Sequence, residues 1–177
     1  MNILIITGSP RKKGTSVLLT EQFIKGAEKA GHTVHRFDAA FKKVHPCLAC
    51  DRCRLFDDGC IFEDDMTELT PILLNADSVV FVSPIYYYDL NAQIKAVIDR
   101  FYANDSELHT SKKSALMLTF ADTTMESANG AIETYKGMVN FLGWNSKGII
   151  AAKGCYTADD IKNTDYLREA YELGLNM

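Results

Sequence analysis

Five strand-length segments, separated by amphipathic stretches, constrain the fold of this chain more than any other feature. Four of them are almost continuously apolar, as expected of strands that are buried on both faces of a parallel sheet, and the second alternates like a shorter strand. The predicted strands are residues 2–9, 32–39, 77–84, 114–121 and 147–155. A chain built in this way forms an open, mostly parallel α/β sheet with helices on both faces.

The stretches between the strands carry apolar residues at helical spacing. The predicted helices are residues 15–31, 66–75, 91–103 and 129–144, and a charged helix from about residue 159 closes the chain. Pro71 is expected to kink or shorten the second of these helices. Right-handed crossovers leave few topologies for this alternation, and the commonest one at this length is the doubly wound order 2-1-3-4-5.

Composition limits the classes of function that need to be considered. The chain has 177 residues, and we expect a single domain over residues 1–177. A net charge of −4 argues against a nucleic-acid partner or an anionic membrane surface. No apolar run approaches the ~20 residues that span a bilayer. The first residues do not have the pattern of a signal peptide, so the expected location is the cytoplasm.

Open α/β sheets bind ligands beyond the carboxyl ends of their strands, where the strand order reverses. The first strand is followed by the sequence GSPRKKGTS, which runs directly into a helix. A helix N-terminus offers free N–H groups and the positive end of the dipole to a phosphate. Ser9, Thr15 and Ser16 can add hydroxyl groups, and Arg11 can add charge. The alternative for this loop is a polar turn that only caps the helix.

The third strand is followed by the sequence SPIYYYDLNAQIKAVIDRF. Three consecutive tyrosines cannot all bury in one core, and a turn that presents residues 85–88 can line the edge of a flat ring system. Packing against a neighbouring subunit is the alternative. The fourth strand is followed by a polar segment that could close over the other end of the ring. A phosphate site beside an aromatic loop indicates a mononucleotide with a large planar base, and flavin mononucleotide (FMN) fits.

On these residues the sequence resembles the flavodoxin-like NAD(P)H-dependent FMN reductases, and more narrowly their iron–sulfur flavoprotein branch. GSPRKKGTS is similar to the family's FMN-phosphate loop, and SPIYYYDLNAQIKAVIDRF is similar to its flavin-ring loop and the following helix. The cysteine segment that begins PCLACDRC is common in that branch. The resemblance runs in register over residues 2–154. It implies a flavodoxin-like fold, NAD(P)H as co-substrate, a small-molecule electron acceptor, and a homodimer or homotetramer with FMN near the subunit boundary.

The resemblance also implies which residues bind the cofactor. The implied phosphate contacts are Ser9, Arg11, Thr15, Ser16 and Val17. The implied contacts to the isoalloxazine ring are Pro84, Ile85, Tyr86 and Tyr87, with residues Thr119 to Asp122 closing over it from the third loop. Because the hydride chemistry belongs to the flavin, no acid or base is assigned, and His45 is interpreted as a bystander.

Four of the five cysteines lie in a predicted insertion after the second strand, residues 46–65. Cys47, Cys50, Cys53 and Cys60 have the spacing C-x2-C-x2-C-x6-C. Four thiolates can hold a [4Fe–4S] cluster, and three cysteines in tandem allow one loop to wrap three irons. A zinc site usually uses two separated pairs, so zinc ranks lower. Reduced thiols without a metal are a third alternative. Cys155 is expected to be a small buried hydrophobe.

Three functions are therefore open. The first is an FMN-dependent NAD(P)H oxidoreductase that passes electrons to a small acceptor such as flavin or quinone. The second is an iron–sulfur flavoprotein that carries electrons with a [4Fe–4S] cluster. The third, from a different class, is a non-catalytic flavodoxin-like module in which the tyrosines and cysteines form a protein interface.

Overall fold

The computed structural model describes residues 1–56 and 59–177 of the chain. Residues 57 and 58, inside the predicted insertion 46–65, lie outside the described residues. The strands are β1 (Asn2–Thr7), β2 (Thr33–Asp38), β3 (Ser78–Tyr86), β4 (Asp89–Leu90), β5 (Lys113–Thr119) and β6 (Asn145–Ala152). The helices are α1 (Thr15–Lys29), α2 (Arg52–Phe56), α3 (Met66–Asn75), α4 (Ala92–Asp99), α5 (Asp105–Leu108), α6 (Asn129–Leu142), α7 (Ala158–Lys162) and α8 (Tyr166–Leu175).

The sheet has the predicted order. Five parallel strands lie in the order β2-β1-β3-β5-β6, which is 2-1-3-4-5 when the five predicted strands are numbered along the chain. The five-stranded count was incomplete, because β4 pairs antiparallel with the end of β3. This two-residue strand belongs to a hairpin that the run of tyrosines did not indicate.

Helix boundaries differ from the prediction at two places. The helix after β3 ends at Asp99 and continues as a 3-10 segment to Asn104, and the C-terminal helix is divided into α7 and α8. Pro71 does not end α3, which continues through it to Asn75. Within the described ranges, no helix combines the length and the apolar character needed to cross a bilayer.

The three central strands, β1, β3 and β5, are buried on both faces, which explains the continuous apolar run of the first strand. Ile3 and Ile5 pack with α1 and α8 on one face, while Leu4 and Ile6 pack with α3, α4 and α6 on the other. Each fully buried side chain of this kind contributes roughly 1.5–3 kcal/mol relative to exposure. The two cores fix the strands, so the loops at their carboxyl ends have a rigid base.

Candidate functional site

Three loops meet at the carboxyl edge of the sheet, as the sequence predicted. Thr7 at the end of β1 is paired with Val82 of β3, and Pro84 of β3 is paired with Thr119 at the end of β5. Neighbouring parallel strands therefore bring the first loop (residues 8–14), the β3–β4 hairpin and the third loop (residues 120–124) to one edge.

The first loop leads into a helix end that is open to a ligand. The Gly14 N–H donates to the Arg11 carbonyl (3.1 Å), and the Val17 N–H donates to the Gly14 carbonyl (3.1 Å). No side chain in the described part of the chain caps this end of α1. The N–H groups of Thr15 and Ser16 precede the first bonds of the helix, and such groups bind phosphate. The donor set here fits a phosphate group.

The remaining side chains predicted for the phosphate have different environments. Ser9 is buried, and its Oγ accepts a hydrogen bond from the Arg11 N–H (3.3 Å). The Arg11 guanidinium lies 5.0 Å from the ring centroid of Tyr156, beyond the end of β6. Val17 is buried and its N–H is already bonded to Gly14. Sequence reasoning missed Tyr156, because Tyr156 and Arg11 lie 145 positions apart along the sequence (156 − 11).

Ser16 and Thr119, predicted for two different loops, are bonded to each other. Their hydroxyl groups lie 2.8 Å apart and both residues are buried. This bond joins the start of α1 to the end of β5. The side chains thus fix the two elements together, while the backbone of Ser16 stays at the open helix end.

The three tyrosines form the tip of a tight hairpin. Ile85 pairs with Leu90 and Tyr86 with Asp89, which leaves Tyr87 and Tyr88 as the two turn residues. Both have left-handed backbone conformations, with φ of 48° and 68°. Positive φ at both central positions is the geometry of a type I′ turn, which strongly prefers Asn-Gly. Two tyrosines in this conformation cost about 1–3 kcal/mol each.

The neighbouring helix α6 holds the hairpin in place. The Tyr88 carbonyl approaches Gly130 so closely that a Cβ at that position would overlap it. The Asp89 carboxylate accepts a hydrogen bond from the Thr134 hydroxyl (3.2 Å). The side chains of the three tyrosines are exposed, and Tyr87 is 100% exposed. The fold therefore holds a strained turn that presents aromatic rings to solvent.

A cleft of about 310 Å³ lies between the hairpin and the third loop. Ile85, Tyr87 and Tyr88 line one side of it, and Phe120, Ala121, Asp122 and Ser127 line the other. Hydrogen bonds from the Ser127 hydroxyl and from the Thr124 N–H (3.1 Å) lower the pKa of Asp122 below its ordinary value. Asp122 is consequently a carboxylate at neutral pH. An apolar and aromatic slot with one acceptor suits a planar ring that carries polar groups on its edge.

Asn91 connects the first loop with the hairpin, and sequence reasoning gave it no role. Its side chain is buried and donates to the Gly8 carbonyl and to Gln93 Oε1 (2.8 Å). Ser83 Oγ donates to its Oδ1 (3.2 Å) and accepts from its N–H (3.1 Å). The available signal was an asparagine at the first position of the predicted helix, which indicates a cap but does not reveal these partners.

The four clustered cysteines line one pocket. They share it with Phe62, Arg100 and Tyr102. All five cysteines of the chain are free thiols, and Cys155 is buried in the core as expected. Burial raises the pKa of Cys53, and the neighbouring Cys60 and Cys47 raise it further. Binding a metal would therefore require this thiol to lose a proton that it holds at neutral pH.

The backbone between the cysteines is sharply bent. Ala49 and Asp51 have left-handed conformations, with φ of 52° and 55°. The Ala49 N–H donates to Cys47 Sγ (3.4 Å), and the Tyr102 hydroxyl donates to Asp51 (2.7 Å). These contacts turn the loop back on itself so that its thiols face a common space.

Four thiols in one pocket are the donor set that a [4Fe–4S] cluster requires. Among residues 1–56 and 59–177, no three His, Cys, Asp or Glu side chains are close enough to hold one metal ion. In a cluster each thiolate binds a different iron, so its ligands lie further apart than those of one ion. The pocket contains about 20 Å³ of free space, room for about one water molecule.

Comparison with known proteins shows which family this chain belongs to. A family model for NADPH-dependent FMN reductases matches residues 1–160. An iron–sulfur flavoprotein of Archaeoglobus fulgidus is 36% identical over 100 residues, which are 56% of this chain and 45% of that protein. An iron–sulfur flavoprotein of Clostridioides difficile is 28% identical over 166 residues, 91% of this chain and 71% of that protein. The chain spans about half the length of the archaeal relatives it matches.

Among solved structures, the chain is similar to an NAD(P)H:quinone oxidoreductase from Methanothermobacter marburgensis. The TM-score is 0.78 at 20% identity, and the match covers 99% of this chain and 95% of that one. At this identity the likeness establishes the fold, which is flavodoxin-like as predicted.

Proposed function

This chain belongs to the NADPH-dependent FMN reductase family, and on that premise we propose that it is an NAD(P)H-dependent oxidoreductase that uses FMN to reduce a small acceptor such as flavin or quinone. The observation that carries this proposal is the pairing of two features at one sheet edge. The uncapped end of α1 suits a phosphate, and the cleft between the hairpin and the third loop suits a flat ring.

The proposed FMN contacts follow the first loop, the hairpin and the third loop. The phosphate would be held by the start of α1 and the side chains around it, namely Ser9, Arg11, Thr15, Ser16 and Val17. The ring would lie against Pro84, Ile85, Tyr86 and Tyr87, with Thr119 and Asp122 on the third-loop side. When bound, the flavin supplies the chemistry of accepting a hydride from NAD(P)H and passing the two electrons on.

In this mechanism the role of the protein residues is to bind and orient the FMN. The helix end and Arg11 neutralise the phosphate charge, and the tyrosines exclude water from one face of the ring site. Asp122 stays ionised because its pKa is lowered, so it accepts a hydrogen bond and does not donate a proton. Asn91 keeps the first loop and the hairpin at a fixed separation through Gly8 and Ser83.

We further propose that Cys47, Cys50, Cys53 and Cys60 hold a [4Fe–4S] cluster. The shared pocket and the four-thiol donor set support this assignment, and the relatives named iron–sulfur flavoproteins support it by name. A cluster exchanges single electrons, whereas hydride transfer moves a pair. With a cluster the protein would also act as a one-electron carrier.

Anaerobic purification tests both assignments in one sample. We expect a yellow protein with flavin absorption, and assays for iron, sulfide and zinc should find about four irons per chain. The variant C50S should lose iron and keep flavin, and the control C155S should keep both. A sample that contains flavin but neither iron nor zinc would contradict the proposed cluster and leave the proposed reductase function unaffected. A colourless protein that ignores added FMN would contradict the reductase and favour the non-catalytic interaction module.

The proposal extends to the organisation of the protein. We treat residues 1–177 as one FMN-binding domain with the cysteine-rich segment 46–65 between β2 and α3, working in the cytoplasm, where thiols stay reduced. Exposed apolar side chains on and beside this segment, among them Leu48, Leu55 and Phe56, support a homodimer or homotetramer. Light scattering of the purified protein distinguishes these from a monomer.

A further inference from the structure

Arg100 is a buried cation that the proposed flavin chemistry does not use. It follows α4 directly, and its side chain is 2% exposed. Its Nη1 donates to Asp64 Oδ2 (2.7 Å) and to the His45 carbonyl (2.9 Å), and Nη2 lies 3.4 Å from Asp64 Oδ1. These bonds connect the two ends of the cysteine segment. They give hydrogen-bond partners to Nη1 and Nη2 of the guanidinium but not to Nε.

The Nε atom of Arg100 is buried and has no hydrogen-bond partner among the described residues. Buried N–H groups in proteins are almost always paired, so an orphaned one requires an explanation. A ligand that accepts from Nε when it binds would supply the missing partner.

The position of Arg100 indicates where that acceptor lies. Arg100 lines the same pocket as the four clustered cysteines, and it also lines a neighbouring cavity of about 310 Å³ that includes Cys60. Its guanidinium lies 5.3 Å from the ring centroid of Phe62, which lines this pocket too and stacks on His45 with centroids 4.2 Å apart. A group bound by four thiolates brings negative charge to this pocket, and its sulfur atoms accept hydrogen bonds.

We propose that Arg100 is a positioning residue that donates from Nε to a sulfur of the cluster held by Cys47, Cys50, Cys53 and Cys60, and so raises the cluster's reduction potential. This inference rests on the proposed cluster and not on the flavin. Hydrogen bonds to the sulfurs and the net charge are two of the factors that set cluster potentials. The reduced cluster is the more negative form, so a cationic donor stabilises it more than the oxidised form.

The test is a redox titration of the protein after anaerobic reconstitution with iron and sulfide, followed by its visible spectrum. The variant R100K keeps a charge for Asp64 but has no Nε–H, and R100Q removes the charge as well. We expect the cluster potential of R100K to fall by about 59 mV, a tenfold change for one electron. The cluster potential of R100Q should fall further, and the flavin potential in the same samples should stay unchanged.

Lys112→Met is the matched control. Lys112 is also a buried cation, and it donates to the carbonyls of Leu74 (2.9 Å) and Ala76 (2.7 Å) away from the cysteine pocket. Its loss removes a buried charge without touching the cluster, so K112M should keep the wild-type cluster potential.

A second measurement needs no Arg100 variant. In reduced wild-type protein labelled with ¹⁵N only in the arginine guanidinium groups, pulsed electron paramagnetic resonance should detect a ¹⁵N nucleus coupled to the cluster, and the variants R52Q and R54Q should retain this coupling.

Three results would overturn the role of Arg100. The first is a wild-type potential in R100K, even if R100Q is shifted, because the effect would then be one of charge alone. The second is the absence of a coupled ¹⁵N. The third is wild-type protein that binds flavin but takes up no iron, which would remove the cluster together with this role and leave the flavin reductase intact.

Discussion

At the scale of single residues, the proposed phosphate site depends on side chains that are far apart in the sequence. Arg11 leaves the first loop and lies over the ring of Tyr156, which follows β6. The backbone beyond β6 is itself bonded to the third loop, since the Cys155 N–H donates to the Phe120 carbonyl (2.8 Å) and the Gly154 N–H to the Asp122 carbonyl (2.7 Å). Through its contact with Tyr156, Arg11 therefore couples the proposed phosphate site to the third loop, which borders the proposed ring site.

Replacing Arg11 tests this arrangement. We expect R11A to weaken FMN binding by roughly 1.5–3 kcal/mol, the range for hydrogen bonds to charged groups. Y156A should weaken it by about 0.5–1 kcal/mol through loss of the cation–π contact. Fluorescence titration measures both, with K13A as the control on the same loop. Riboflavin has no phosphate, so an equal loss of riboflavin binding in R11A would show that Arg11 does not act through the phosphate.

At the scale of elements, the hairpin illustrates a conflict between local preference and the proposed function. Its two turn positions favour Asn-Gly, yet Tyr87 and Tyr88 occupy them with positive φ. Strain of this kind persists only where the surrounding structure imposes it, and here Gly130 of α6 leaves room for the Tyr88 carbonyl.

The double substitution Tyr87→Asn and Tyr88→Gly should therefore stabilise the fold and impair the site. We expect the free energy of unfolding, measured by urea denaturation, to rise by about 1–3 kcal/mol for each position that is relieved of strain. FMN binding should weaken, because the aromatic wall of the cleft is lost. The control Tyr87→Ala and Tyr88→Ala removes the same rings but keeps the strained backbone, so it should weaken FMN binding without the gain in stability. Tighter FMN binding by the Asn-Gly variant would contradict the role of the tyrosines.

Helix packing gives a second prediction at this scale. Gly26 of α1 and Gly174 of α8 face each other so closely that a Cβ at either position would overlap backbone atoms of the opposite helix. G174A should destabilise the protein by about 1–3 kcal/mol, the usual cost of overpacking. A Cβ at Gly137 of α6 would meet no described atom within 4 Å apart from its chain neighbours and the backbone of its own helix, so G137A should stabilise the protein by about 0.5–1 kcal/mol. Thermal unfolding of the two variants should move in opposite directions, and a harmless G174A would refute the close packing.

At the scale of the whole molecule, a partly buried ion pair between Asp64 and Arg100 joins the cysteine segment to the core. Asp64 accepts from Arg100, and also from the N–H groups of His45 (2.8 Å) and Met66 (3.0 Å). Burial raises the pKa of Asp64, but these hydrogen bonds outweigh it and the pKa lies below its ordinary value.

A lowered folded-state pKa has a definite consequence for stability. The contribution of Asp64 is fully present above its unfolded pKa of about 3.9 and is lost as the pH falls through the folded value. We expect D64N to be less stable than wild type at pH 7 by about 1.5–3 kcal/mol. This difference in the free energy of unfolding between D64N and wild type should narrow below about pH 4. Urea denaturation across this range measures it, and a gap that stays constant down to about pH 2 would mean that Asp64 does not titrate as described.

The sequence by itself determined the strand order, the sheet edge at which the three loops meet, and the grouping of four cysteines. Apolar runs report burial on both faces, and parallel strands place their carboxyl ends together whatever the side chains are. Only the tertiary structure decided the partners across that edge: Asn91 with Gly8 and Ser83, Ser16 with Thr119, Arg11 with Tyr156, and Arg100 with Asp64. Those contacts join residues up to 145 positions apart along the sequence (156 − 11), and local periodicity carries no information about such pairs.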